Sequence, residues 1–291
     1  MIYAAHEAPY TLIVEPDNEP VNPREDCCPL GTMVCWHRRY RLGDEHSFSS
    51  PEDFLRDLYR RSVNDHGKRL VSFLKSGSAR GSRLKYNRHT HEWELYLRSY
   101  WKTILGNSEP DWYLEQSAPK SQLNDDGWFF YDMLAALTID DLKELLSERD
   151  DVVILPLHLY DHSGLAMSTG SFVGRAVHAE WDSGQVGYIY ADRDSVQKEY
   201  GKVNAEAVKR AEEVLESEVR EFDLYLQGEC YGYRLFKDGE EQDACWGFLG
   251  EIDDVREALK SYIPETCAGL IDKLELCWES ASDYLEGLES A

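Results

Sequence analysis

The stretch Cys230–Leu249, CYGYRLFKDGEEQDACWGFL, decides the fold class. Two aromatic-rich, strand-like runs, CYGYRLF and ACWGFL, flank KDGEEQD, which is rich in turn-forming residues, and the whole reads as a hairpin of antiparallel strands. Working outward, further strand-like runs lie at Tyr10–Val14, Thr32–Tyr40, Val152–Tyr160 and Val186–Tyr190. Pro156 makes the third of these an edge strand or a broken one, because proline cannot donate to a ladder. Helical patterns cover Pro51–Arg60, Trp93–Leu105 and Asp140–Ser147, with Thr138 as N-cap of the last, and two longer ones cover 205–226 and 265–288. No regular βαβ alternation is present. The expected class is therefore α+β, a mixed or antiparallel sheet packed by two long amphipathic helices. Residues 1–50 and 150–291 are expected to form its core, and 51–149 an inserted, mostly helical subdomain that is basic in its first part.

Charge narrows the function classes. The 291 residues carry 31 Lys and Arg against 55 Asp and Glu, a formal net charge of −24. A main surface that grips bare nucleic acid or an anionic membrane needs the opposite sign, so neither direct nucleic-acid binding nor membrane binding is expected. No run approaches the ~18 apolar residues of a membrane span, and MIYAAHEAPY lacks the order of a secretory signal. The expected location is the cytoplasm. The 7 cysteines are odd in number, and only Cys27, Cys28 and Cys35 cluster, which fits reduced thiols better than a disulfide framework.

One segment breaks the acidic pattern. Residues 51–100 hold 11 basic and 6 acidic side chains, and aromatics follow at Trp93, Tyr96, Tyr100 and Trp101. Such interleaving can bind single strands by stacking. The favoured expectation is instead that this insert docks on acidic surface, of its own chain or of a sister subunit, giving a homo-oligomer.

The two long helical patterns differ in their outer faces. In the first, Val208, Ala211, Leu215, Val219, Phe222 and Leu226 form one apolar stripe, and Glu206–Arg210 and Glu216–Arg220 are i,i+4 pairs. In the second, Asp272, Glu275, Glu279, Asp283 and Glu286 recur at steps of 3, 4, 4 and 3. On a helix they would fall within about 80° of arc and form a ladder about 21 Å long. These five residues are the expected partner-binding set, aimed at a cationic groove that normally holds phosphates.

Candidate catalytic chemistry is thinner. His37, Asp44 and His46 in HRRYRLGDEH, Asp161 and His162 in YDHSG, and Asp182 in WDSGQVG could converge on a first-row metal and activate a water. Their spacing matches no established metal motif, and turn residues at strand ends account for most of them. No CxxC pair, GxGxxG or P-loop is present. No metal and no cofactor are expected.

Four strings carry a resemblance: NPRED with GTMVCWHRRYRLGDEH (22–46), ILPLHLYDHSG (154–164), WDSGQVGYIY (181–190), and LQGECYGYRLF with DACWGFLG (226–250). Their order and content resemble an uncharacterised family of small acidic proteins carried by bacteriophages and mobile elements of bacteria. The resemblance covers about 22–50 and 150–250, and leaves out the basic segment and the acidic C-terminal stretch. Cys27-Cys28-Pro29 stands where a more polar turn is usual, which weakens a metal site there. The resemblance implies a setting of host defence and counter-defence. The leading expectation is an acidic, stoichiometric inhibitor that mimics nucleic acid and occupies a host nuclease or another nucleic-acid-binding defence complex. The alternatives are a metal-dependent phosphodiesterase using the His/Asp set, and a sponge that sequesters a nucleotide signal in the basic insert.

Overall fold

In a computed structural model, which describes residues 1–26, 28–102 and 108–290, the hairpin forms as expected. Cys230–Lys237 pairs antiparallel with Glu240–Leu249, and Lys237 lies opposite Glu240. The turn is therefore only Asp238-Gly239, with φ of 52° and 83°. Both sit in the left-handed region that a two-residue turn matched to strand twist requires, which Asp-Gly tolerates well. The remainder of KDGEEQD is strand.

The chain divides into two units, Met1–Pro29 with Pro156–Val186 and Val214–Ala291, and Leu30–Leu155 with Gly187–Glu213. In chain order the strands are β1 Ile2–Glu7, β2 Tyr10–Pro16, β3 Thr32–Cys35, β4 Ser82–Asn87, β5 Glu92–Lys102, β6 Ser108–Ala118, β7 Val153–Asp161, β8 Leu165–Ser168, β9 Ser183–Ala191, β10 Cys230–Lys237, β11 Glu240–Leu249 and β12 Glu275–Cys277. The helices are α1 Pro23–Asp26, α2 Pro51–Ser62, α3 Lys68–Ser76, α4 Trp128–Ala135, α5 Ile139–Ser147, α6 Ala179–Asp182, α7 Arg193–Tyr200, α8 Ala205–Gln227, α9 Ile252–Leu259 and α10 Ala281–Glu289. The class is α+β.

The first unit is built on a five-stranded antiparallel sheet in the order β11-β10-β2-β1-β12. Leu12, Ile13 and Val14 are each 0 % exposed, because both sheet faces are covered. On one face Leu12, Val14, Tyr233 and Leu235 pack with Val255 and Leu259 of α9 and with Leu270, Ile271 and Leu274 after it. On the other, Ile2, Ala4, Ile13 and Phe236 pack with Ala281, Tyr284 and Leu285 of α10. Burying a large aliphatic side chain contributes roughly 1.5–3 kcal/mol, so this double cover is the main stabilising term of the unit.

The expected helix over 265–288 is not formed. Ala268–Lys273 is a 3-10 turn, Glu275–Cys277 is the edge strand β12 against β1, and α10 starts only at Ala281. Two forces decide this. The open edge of β1 takes the strand-forming Leu276-Cys277 as its partner, and Ser280 caps a new helix, its hydroxyl accepting the Asp283 N–H. The other long helix does form, as α8, with Ala211, Leu215, Val219 and Phe222 of its stripe buried.

The second unit corrects the expected helical insert. Between α3 and α4 lies a three-stranded antiparallel sheet in the order β4-β5-β6. β5 replaces the expected helix over 93–105, of which 103–105 lies outside the described residues. Strand geometry wins because Trp93, Leu95 and Leu97 alternate with Glu94, Tyr96 and Arg98, which puts the apolar set on the core face. Nor is 51–149 separate in its packing. Phe54, Leu58, Leu70, Leu95, Phe129 and Leu142 share one core with Val34 of β3 and Tyr188 of β9. The strand expected over 32–40 ends at Cys35, and β3 pairs with β9 so that Cys35 lies opposite Gly187. A Cβ on Gly187 would lie 2.1 Å from the Val34 carbonyl oxygen, so only glycine fits there.

Thr138 caps α5 as expected. Its hydroxyl accepts the Asp141 N–H at 3.2 Å, and the Asp141 carboxylate accepts the Thr138 N–H at 3.1 Å. Asp141 is fully buried and also accepts from the Arg80 backbone N–H. Thr138→Ala is expected to cost about 1 kcal/mol, measured as a shift in the denaturant midpoint. A shift too small to resolve would mean that Asp141 alone holds the helix start.

Candidate functional site

The six His/Asp candidates fall into two local groups with different roles. In the second unit, the Asp44 carboxylate accepts the Met33 N–H at 2.8 Å while its own N–H donates to the Met33 carbonyl, so Asp44 extends the hydrogen bonding of β3. His46 Nε2 bonds the Cys35 carbonyl at 2.9 Å, and its ring packs on Trp36 and Phe48. His37 Nδ1 accepts the Arg39 and Tyr40 N–H groups, and its ring stacks on Tyr40. These three side chains shape a loop and do not converge.

In the first unit, His162 and Asp182 do meet, Nδ1 to Oδ2 at 2.8 Å, with the pair partly exposed. The His178 ring lies 5.9 Å from that of His162, and Asp161 ends β7. A carboxylate-oriented imidazole can take a proton from a reacting group. The nearby Ser183 hydroxyl is spent on the Ala179 carbonyl at 2.6 Å. Among the described residues no group of three or more His, Cys, Asp or Glu could hold a metal ion. The alternative of a metal-centred convergence of all six is not what the geometry of the described residues builds.

Of the N-terminal thiols, Cys27 lies outside the described residues and Cys28 is free, as are Cys230, Cys245, Cys267 and Cys277. Burial, with Glu279 and Glu275 nearby, pushes the Cys277 thiol up.

The five carboxylates of the expected ladder are all exposed but share no helix face. Asp272 lies in the 3-10 turn, Glu275 starts β12, Glu279 precedes the Ser280 cap, and only Asp283 and Glu286 are on α10. Asp283 stands in the first turn of α10, where a negative charge stabilises the helix dipole. Set among these acids are two apolar side chains in the open, Trp278 at 81 % and Leu276 at 43 % exposure.

What the structure adds is how the charge is divided. The first unit holds 8 Lys and Arg against 29 Asp and Glu, a balance of −21, while the second holds 23 against 26, a balance of −3. Five of the eight cations in the first unit are already in ion pairs: Arg24 with Glu218, Arg234 with Glu15 and Glu241, Arg256 with Asp253, Lys260 with Glu257, and Lys273 with Glu7. The Lys273 hydrogen bond and charge hold the Glu7 carboxyl below the usual range. Sequence order hid this division, because each unit is assembled from separate stretches of chain.

The second unit also holds a cleft of about 710 Å³, lined by Arg61, Asn64, Asp192, Arg193 and Asp194 among others. Each of its guanidinium groups is matched, Arg61 by Asp57 and Asp192, Arg193 by Asp151. It is polar but carries no surplus charge of either sign.

The chain matches no protein-family model, no curated protein and no solved structure. Among the described residues no helix is long and apolar enough to cross a membrane.

Proposed function

We propose that the protein is a stoichiometric binding inhibitor whose acidic first unit occupies a cationic protein surface that otherwise holds nucleic acid. One observation carries this reading: the surplus of negative charge is concentrated in that unit, whose few cations are largely consumed internally. A field of that density speeds encounter with a positive groove and makes affinity fall as salt rises. Trp278, exposed between Glu275 and Glu279, supplies an apolar anchor inside a charged rim, the arrangement from which protein interfaces draw most of their energy. The resemblance of the WDSGQVG and YDHSG strings to phage-borne proteins supports a host nuclease, or another nucleic-acid-binding defence complex, as the target.

The test is affinity capture from host lysate with the intact chain. The expected result is one nucleic-acid-binding protein that binds at low salt, loses at least tenfold in affinity at about 0.5 M salt, and is competed by DNA. Trp278→Ala should weaken it about thirtyfold. Capture indifferent to salt and DNA, or no specific partner at all, overturns the reading.

A further inference from the structure

The second unit presents a different kind of surface on the outer face of β4-β5-β6. Strand alternation sends Ser82, Leu84 and Leu95 inward, each at most 3 % exposed, and Arg83, Lys85, Tyr96, Arg98, Tyr100, Trp112 and Leu114 outward. Arg83 lies opposite Tyr96, Tyr96 opposite Leu114, and Arg98 opposite Trp112. The cations stack on the rings. The Arg83 guanidinium sits 3.9 Å from the Trp112 centroid and 5.5 Å from that of Tyr96, and Arg98 sits 4.9 Å from that of Tyr100. Lys85 lies 5.6 Å from the Tyr96 centroid.

Two features set this face apart from an ordinary solvated sheet. In a chain with 55 acidic side chains, none of Arg83, Lys85 and Arg98 has a carboxylate at ion-pair distance among the described residues. Glu94 lies opposite Lys85 on this face; its two oxygens accept from Asn87 at 2.7 Å and from the Tyr96 hydroxyl at 2.8 Å, and these bonds, with the Lys85 charge, hold its carboxyl below the usual range. The indole holds the Arg83 guanidinium in place; its Nε is buried without a partner, so an anion would meet the terminal N–H groups. Secondly, apolar surface is left open beside those cations, the Tyr100 ring at 62 % and the aliphatic Leu114 at 50 % exposure.

Cations that make no ion pair among the described residues, set beside an exposed ring, match a chain of phosphates carrying flat bases. We infer that this face binds single-stranded nucleic acid, with Arg83, Lys85 and Arg98 on the phosphates and the exposed Tyr100 ring under a base. Successive outward residues on one strand are about 7 Å apart, and Tyr96 to Tyr100 spans about 13 Å, room for two or three nucleotides. A duplex hides its base faces and is the weaker ligand. The unit that carries this face has a balance of −3, against −21 for the other.

The experiment uses the full chain and a labelled 15-nucleotide oligo-dT or oligo-U, read by fluorescence anisotropy at low salt. Binding is expected, with at least fivefold preference over a duplex of equal length. Tyr100→Ala and Arg98→Gln, both at exposed positions, should each weaken it about tenfold without moving the thermal unfolding midpoint. Absence of oligonucleotide binding, or binding unchanged in both variants, overturns the inference. So does sedimentation showing that the chain self-associates and that these substitutions abolish it, because the face then serves a second copy. The capture experiment above reads a different surface, so either result can fail alone.

Discussion

Asp151→Ala is expected to destabilise the second unit by about 3–5 kcal/mol, the usual result of removing one partner of a buried ion pair. Asp151 is 4 % exposed and Arg149 9 %, and they form a two-pronged pair, with Nε to Oδ1 at 3.0 Å and Nη2 to Oδ2 at 2.9 Å. The same carboxylate accepts from Asn64 at 3.1 Å and lies 3.4 Å from Arg193. Removing it leaves the Arg149 charge buried with no compensating anion, a cost far above the loss of one hydrogen bond. Asp151→Asn keeps the shape and some of the bonds, and should fall between the variant and the parent. The measurement is the denaturant midpoint, together with hydrogen exchange over 51–76, where the second unit reports. A loss under 1 kcal/mol would show that water reaches Arg149 and that the pair is effectively a surface one.

Gly187→Ala should be of similar size, about 3 kcal/mol or more. Its Cβ would stand 2.1 Å from the Val34 carbonyl oxygen and 2.9 Å from the Cys35 Cα, and backbone atoms cannot rotate away as a side chain can. β3 and β9 must separate, which disturbs Val34 and Tyr188 in the core. Amide exchange at Met33 and Val34 should accelerate. Unchanged protection there would mean that the two strands shift along each other at little cost. Gly187 lies in the WDSGQVG string, so part of what marks that string is a demand for space between strands rather than chemistry.

Local rules carried some of the architecture. Asp-Gly at 238–239 specified a tight turn, Thr138 with Asp141 specified a helix start, and α2 and α8 followed their apolar stripes. Where two periods coexist the pattern is ambiguous. Trp93, Tyr96, Tyr100 and Trp101 fit a helical face, whereas Trp93, Leu95 and Leu97 fit a strand, and the neighbouring β4 and β6 decide for the strand. Over 265–288 the regular carboxylate spacing concealed a break that Ser280, as a cap three residues before Asp283, did signal. The edge of β1, more than 260 residues earlier, could not be read from that stretch alone. For the candidate site, acidity was legible and its location was not. The His162–Asp182 pair was among the residues singled out, but His37, Asp44 and His46 turned out to serve loop geometry.

The threading of the first unit has a consequence for synthesis on the ribosome. β2 pairs with β10, which begins at Cys230, and β1 pairs with β12, which begins at Glu275. The hairpin of β1 and β2 must therefore wait, both of its outer edges bare, while more than two hundred further amino acids are translated. Such late-closing pairings are slow, and exposed edges invite wrong partners during the delay. The second unit suffers less: most of its pieces are contiguous between Leu30 and Leu155, so it can gather its α2, α3 and β4–β6 nucleus well before the acidic half is finished.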